Sequence, residues 1–378
     1  MSLFSLKKKA LSVALLDISS SSVGGALVYY RKHSLPTLYF SVRVPVELYE
    51  GEMLSAGMLR ALSVVERMLV EEGGPTLRRE VGSGHIDSVL VSVGAPWQDT
   101  DITSRSIQKS QAFTFTHAAM ESAIQDIEPA SEDRLESGRT IIATILNGYE
   151  TQNPFGKRVN RAEMIVLSST IEKAIAKEIL TSLRKTFHTH DVTLTAFAPA
   201  AYSVFRDLYP HQKDFIVLDV SGTATDAAFV KRGLLAGVRT VPHGTHELLE
   251  GGKRAAHAHS LPSVGMIDPL RNTAFEARTD ELEKTWLLGL REVFTEFSGK
   301  QALPRMLFLL ADENARGFLK HVLEKSELRS LWLSDEPLSV VPLLPSHIAP
   351  YVKTRGLAEG DVYLALLALY CKKGIGNL

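Results

Sequence analysis

A single cysteine, Cys371, stands in a chain of 378 residues. That excludes a disulfide framework and a cysteine metal site, and it points to a reducing compartment. Neither charge is in excess, with 42 Lys and Arg against 43 Asp and Glu. A general nucleic-acid binder would show a basic surplus, so none is expected. No apolar run approaches the roughly 18–20 residues of a membrane span, so no transmembrane segment is expected. The opening sets basic residues before an apolar run, but that run covers only residues 10–16 and meets Asp17 without a small-residue cleavage site. It reads as a first strand, not an export signal. Lys7, Lys8 and Lys9 would give only marginal attraction to anionic lipid, at about 1 kcal/mol each. There is no G-x-x-x-x-G-K-[ST] loop and no Ser-His-Asp arrangement in supporting context. Nucleophilic and metal-hydrolase chemistry therefore has no positive support.

What the chain has is a repeat. Residues 11–28, LSVALLDISSSSVGGALV, and residues 215–230, FIVLDVSGTATDAAFV, follow one plan. Each runs apolar into an aspartate, passes through tiny hydroxyl or glycine residues, and turns apolar again. Each reads as a β-hairpin. Such a turn brings backbone N–H groups and hydroxyls close to a phosphate, because no bulky side chain intervenes. The candidates are Ser19, Ser20, Ser21 and Ser22 in the first turn and Ser221, Gly222, Thr223 and Thr225 in the second. Asp17 and Asp219 hold a hydrated Mg²⁺ ion in one reading and cap strand ends in the other. Serine and threonine also populate turns on their own account. Asp226 orders a water or ion, or accepts from a backbone N–H. Two such hairpins point to a duplicated domain clamping one nucleotide from both sides.

Periodicity supplies the frame. Strands are expected at residues 12–16, 25–30, 38–44, 85–93, 140–146, 162–169, 192–197, 305–310 and 338–342. Helices are expected at residues 53–72, 114–126, 172–187, 200–208, 280–297, 315–325 and 361–370. Gly73-Gly74-Pro75 is expected to end the first helix, and a polar loop is expected after Gly233. The last helix is expected to pack against the second domain. Residues 247–276 show little period, and their His257 and His259 read as a solvated loop, lacking a third ligand. In the turn-rich stretch 147–161, Asn153, Pro154, Phe155 and Gly156 form an interaction loop or a plain β-turn.

The order of hairpin, strand, helix, inserted unit, second hairpin, strand and helix resembles the actin-like ATPase superfamily, and more closely its bacterial FtsA and PilM group. Four stretches carry the resemblance: residues 3–23 with the first turn, residues 141–159 with Asn153-Pro154-Phe155-Gly156, residues 194–204, and residues 218–226. It implies an α/β, actin-like ATPase fold of two ribonuclease-H-like domains with an inserted SHS2-like subdomain. Residues 1–103 and 191–212 would make the first half and residues 104–190 the insert. Residues 213–378 would make the second half, with a reduced outer subdomain at about 245–300. The resemblance also implies ATP and Mg²⁺ in the cleft, with weak or no hydrolysis. Its partners would be the cytoplasmic tail of a membrane protein or a tubulin-like division filament, with self-association through the insert. The place implied is the cytoplasm, at the inner membrane face.

The chain departs from that pattern. The adenosine turn, glycine-rich in the family, reads Ala311-Asp312-Glu313-Asn314. Its side chains stand where backbone should approach the nucleotide, and its acids repel phosphates in a low-dielectric cleft. Pro199 falls near the position of the glutamate that positions water in hydrolysing relatives, and the family's membrane-binding tail is not expected. Two readings follow: an ATP-gated scaffold for division or pilus assembly, or a pseudo-ATPase interaction module. A kinase on the same fold comes last, for want of a catalytic aspartate.

Overall fold

The computed structural model describes residues 10–375 apart from 126, 128, 129, 152, 247, 249–268, 300, 301, 326 and 333–337. The readings placed on Lys7 to Lys9, His257 and His259 lie outside the described residues. β1 (Ala10–Ile18), β2 (Ser22–Arg31) and β3 (Thr37–Pro45) form an antiparallel meander. Both faces of this sheet are covered, so β1 reads as a near-continuous apolar run, with Leu15, Leu16 and Ile18 fully buried.

α1 (Leu54–Met68) buries Met58, Leu62 and Val65 against the sheet. The expected stop at Gly73-Gly74-Pro75 does not occur. A π turn, Leu69–Gly73, runs straight into α2 (Gly74–Val81). Pro75 falls in the first turn of α2. A Cβ on Gly73 would lie 2.9 Å from Leu27, so that glycine serves close packing, not termination. β4 (Ser88–Val93) pairs parallel with β1.

The chain then leaves this half. β5 (Gln98–Thr114), α3 (His117–Gln125), β6 (Arg134–Leu146), β7 (Tyr149–Glu150) and β8 (Arg158–Glu172) build a four-stranded antiparallel sheet in the order β5-β8-β6-β7. α3 closes a small core of Phe115, Met164 and Val166. The sequence pattern gives no sign of β5, whose Ser104, Ser106 and Gln108 are exposed and whose alternation is not apolar. α4 (Lys173–Phe187), counted with the insert on sequence, sends Ile175, Ile179 and Leu183 into the core of the first half. β9 (Val192–Ala196) completes that sheet beside β4, and α5 (Phe197–Leu208) crosses over.

The second half repeats the plan. β10 (Phe215–Val220), β11 (Thr225–Lys231) and β12 (Leu234–Val241) form the second meander. β12 occupies the place of the loop expected after Gly233. Leu235, Val238 and Val241 point inward, and short or polar residues between them masked the period. α6 (Pro269–Ser298), β13 (Met306–Ala311), α7 (Glu313–Lys325) and β14 (Ser339–Pro342) follow, with Trp286, Leu290 and Phe294 of α6 buried. The second sheet has the order β12-β11-β10-β13-β14, matching β3-β2-β1-β4-β9 strand for strand.

The chain finally returns to the first half. After α8 (Pro345–Ile348), β15 (Lys353–Leu357) adds to the edge of β3. α9 (Val362–Ile375) lies against α5, β1 and β2, so it does not pack on the second domain alone. Apolar on most sides, α9 joins one core that holds Val28, Phe215 and Phe308 from both sheets.

Candidate functional site

The two hairpin turns meet at the centre of the molecule. They close alike: Ser19 N–H donates to the Ser22 carbonyl at 3.0 Å, and Ser221 N–H to the Ala224 carbonyl at 2.9 Å. They also touch. The Ser20 and Ser221 hydroxyls share a hydrogen bond of 2.8 Å, and Thr223 N–H donates to Ser20 Oγ at 3.0 Å. A Cβ on Gly222 would lie 2.7 Å from the Ser20 carbonyl, and one on Gly244 2.2 Å from the Ser221 carbonyl. Backbone approaches this close admit only glycine. Several N–H groups are spent internally: those of Ser21 and Ser22 turn to Ser19 Oγ, and those of Thr245 and His246 to the carbonyls of Ser221 and Gly222. Thr225 is engaged too, its hydroxyl accepting from Trp286 Nε1 at 2.9 Å.

Asp17 is buried, and it accepts from Arg43 Nη2 at 3.0 Å and Ser92 Oγ at 2.8 Å. Arg43 also donates to Asp361, from Nε at 2.6 Å and Nη2 at 3.1 Å, and to Ser22 Oγ from Nη1 at 2.9 Å. Its guanidinium lies 4.9 Å over the Tyr363 ring. The Tyr363 hydroxyl donates to Asp219 Oδ1 at 3.1 Å. One chain of contacts therefore joins β1, β3, the start of α9 and β10. Burial pushes the Asp17 carboxyl up, and Arg43 and Ser92 pull it back. Burial, then Asp226 and Asp17, push Asp219 well above the usual carboxylate range. Asp226 is pushed up to about 6 by burial, against hydrogen bonds from Thr240 at 2.5 Å and Gln98 at 2.8 Å.

Ala311 ends β13 buried, and the Asp312 carbonyl accepts from the N–H groups of Ala315 and Arg316 to start α7. Glu313 falls in the first turn of α7. Asp312 and Asn314 line a cleft of about 680 Å³ together with Ser21, Ser22, Arg43 and His246. So the two turns and the adenosine-side turn converge. Asn153, Pro154, Phe155 and Gly156 lie elsewhere, against the insert: Phe155 stacks on His117 at 3.5 Å, and Gly156 N–H donates to the Phe115 carbonyl at 2.9 Å.

Sequence reasoning missed Arg43, Asp361, Tyr363, Ser92 and Gln98. A lone arginine between Val42 and Val44 in an apolar strand was the available signal, since a charge there needs a buried partner.

Mg²⁺ and a triphosphate fit poorly in this arrangement. The Asp17 carboxylate is engaged by a guanidinium and a hydroxyl, burial and neighbouring acids push the Asp219 carboxyl up, and the N–H groups of Ser19, Ser21, Ser22, Ser221 and Thr223 are already hydrogen-bonded within and between the turns. Among the described residues no cluster of three or more His, Cys, Asp or Glu side chains is placed to hold a metal ion.

Two meander-led sheets of matching order, with an insert after the fourth strand of the first, define the actin-like ATPase fold. The comparisons agree. The chain is similar to the solved PilM-PilN type IV pilus biogenesis complex, at 15% identity over 98% of this chain and 99% of that one, with a TM-score of 0.55. Looser likenesses are to a Bacteroides thetaiotaomicron protein with an actin-like ATPase fold and unknown function, at 11% identity over 95% of each chain and a TM-score of 0.44. An Aquifex aeolicus PPX-GPPA enzyme follows, at 11% identity over 97% of this chain and 90% of that one, with a TM-score of 0.36. No family model matches the chain, and no curated protein matches it in sequence.

Proposed function

We propose that this protein is an interaction scaffold on the actin-like fold, of the PilM kind, whose two halves are fastened by its own side chains rather than by Mg-ATP. The observation that carries this reading is Arg43, seated between Asp17 and Asp361 where a nucleotide-bound cation would have to meet Asp17. The direct hydrogen bonds between the two turns support it further. With the cleft fastened, the fold carries the insert as an added four-stranded unit, which suits protein partners. Likeness to the PilM-PilN complex along nearly the full chain favours pilus assembly over division as the setting. A membrane protein's cytoplasmic segment is then the partner, and attachment to the inner membrane face runs through it. Among the described residues no helix is long and apolar enough to cross a membrane.

The second reading, an ATP-gated scaffold, draws on the cleft beside the turns, which is large enough for a nucleotide base. Calorimetry of Mg-ATP with the wild type and with the Asp17→Ala, Asp219→Ala double variant separates the two. No heat at millimolar ATP is the expected result. Micromolar binding that the double variant loses would overturn the fastened-cleft reading.

A further inference from the structure

The insert carries its own cavity, away from the interdomain cleft. It holds about 270 Å³ and opens on the face of the four-stranded sheet. Buried polar side-chain atoms without a hydrogen-bond partner are few in a folded protein, and each calls for an explanation. Three of them, Arg105 Nε, Arg139 Nε and Ser168 Oγ, belong to residues lining this one cavity. Register explains the convergence: Asp101, Ser168 and Arg139 are directly opposite one another across β5, β8 and β6.

The charges are unbalanced in a particular way. Arg139 is neutralised by Glu136, at 2.5 Å. Among the described residues Arg105 makes no hydrogen bond or ion pair, and Asp99 and Asp101 make no ion pair. Their carboxylates accept only local bonds, from Thr100 N–H at 2.9 Å and Thr103 Oγ1 at 3.4 Å. The cavity therefore presents two carboxylates without an ion pair, both within electrostatic reach of Arg239, and one uncommitted guanidinium. A simple anion would meet Asp101, and a simple cation would leave Arg105 and the Ser168 hydroxyl unsatisfied. A ligand with both an ammonium and a carboxylate satisfies all of them. Residues four apart on a strand are about 13 Å apart, and the Arg105 side chain spans roughly half of that. The remaining gap suits an amino acid or a dipeptide, and the volume does too.

We propose that the insert binds a small zwitterion of the amino-acid or dipeptide class, its ammonium at Asp99 and Asp101 and its carboxylate at Arg105, Arg139 and Ser168. This stands apart from the fastened-cleft reading and survives or falls without it.

Alanine and Gly-Gly are the first probes, titrated into the full chain by calorimetry, with saturation-transfer NMR as a second readout. N-acetyl-Gly-Gly, which lacks the ammonium, and Gly-Gly-amide, which lacks the carboxylate, report each end. Saturable binding of alanine or Gly-Gly is expected, with each blocked form at least tenfold weaker. Arg105→Gln and Asp101→Asn, both on the partly open face, should lower affinity tenfold or more while leaving thermal unfolding unchanged. Equal binding of blocked and free forms would mean a peptide segment of a partner, not a small zwitterion, and would overturn the proposal. So would no saturable binding at 10 mM, or binding indifferent to Arg105→Gln in a folded variant.

Discussion

Replacing Arg43 by methionine tests the fastening directly. Asp17 is 2% exposed and would keep only the Ser92 hydroxyl as partner. Asp361, with 14% of its side chain exposed, would lose both guanidinium bonds and keep the Leu364 N–H. Removing one partner of a buried ion pair costs about 3–5 kcal/mol, because the other charge is left uncompensated. Partial hydration of Asp361 sets the expected loss for Arg43→Met near the lower end, about 3 kcal/mol. The loss depends on pH, and its sign follows from Asp17. Burial already raises that carboxyl, and Arg43 is the largest influence pulling it down. Without Arg43 its folded pKa rises further above the unfolded value, so the penalty is absent at low pH and grows as pH rises. Urea unfolding at pH 5 and pH 8, read by tryptophan fluorescence, measures both effects. Asp17→Asn in the same background should recover a large part of the pH 8 loss. A deficit below about 1 kcal/mol at pH 8, or one equal at the two pH values, refutes the reasoning.

Glu66 is buried between α1 and α4, accepts from Ser182 at 2.9 Å and Thr186 at 2.8 Å, and leaves Oε1 unpaired. Burial raises its pKa, so it costs the fold stability as pH rises above the ordinary carboxylate range. Glu66→Gln should therefore unfold at higher urea than the wild type at pH 8, with the gap closing by pH 4. Burial pushes the Cys371 thiol up to about 12, so a thiol reagent at pH 8 should label it only in denaturant; fast labelling of the native protein would contradict the packing of α9. A Cβ on Gly24 would lie 2.6 Å from Arg43 Nη2, and two carboxylates keep that guanidinium from yielding. Gly24→Ala should cost about 1–3 kcal/mol as overpacking, and the loss should vanish in the Arg43→Met background.

The duplicated hairpins were legible because both features that define them, an apolar run and a small-residue turn after aspartate, are local. β12 and β15 were not, since Leu234–Val241 mixes inward apolar residues with short polar ones and Lys353–Leu357 is exposed throughout. β5 was hidden for a similar reason. The phosphate-type turns read as open to a ligand, and nothing local shows that Ser20 meets Ser221 across 201 positions of chain. Asp17 stands out by its local context, but its partner comes from β3 and that partner's second anchor from residue 361, 318 positions away. Such constellations depend on tertiary register, which a single sequence does not print.

The two halves have kept one frame and filled it differently. In the first, the residue paired with Asp17 is Gly24, and in the second the residue paired with Asp219 is Asp226. Glycine opens room beside the carboxylate, and Arg43 enters it. Aspartate closes that room and adds a second acid; burial raises both carboxyls, and Asp226 raises Asp219 further. An ion held by both halves needs two available carboxylates, and here one is paired with an arginine while burial and neighbouring acids push the other up. On the proposed reading, divergence at that paired position in each repeat replaces a clamp for a charged ligand with a clasp in which Arg43 holds Asp17 and Asp361 and Tyr363 reaches Asp219 of the second sheet. The clasp costs less desolvation than it first suggests, because Arg43 serves two acids and an aromatic face at once. Its strength should accordingly be insensitive to nucleotide and to chelators, and sensitive to pH, the reverse of what a nucleotide clamp would show.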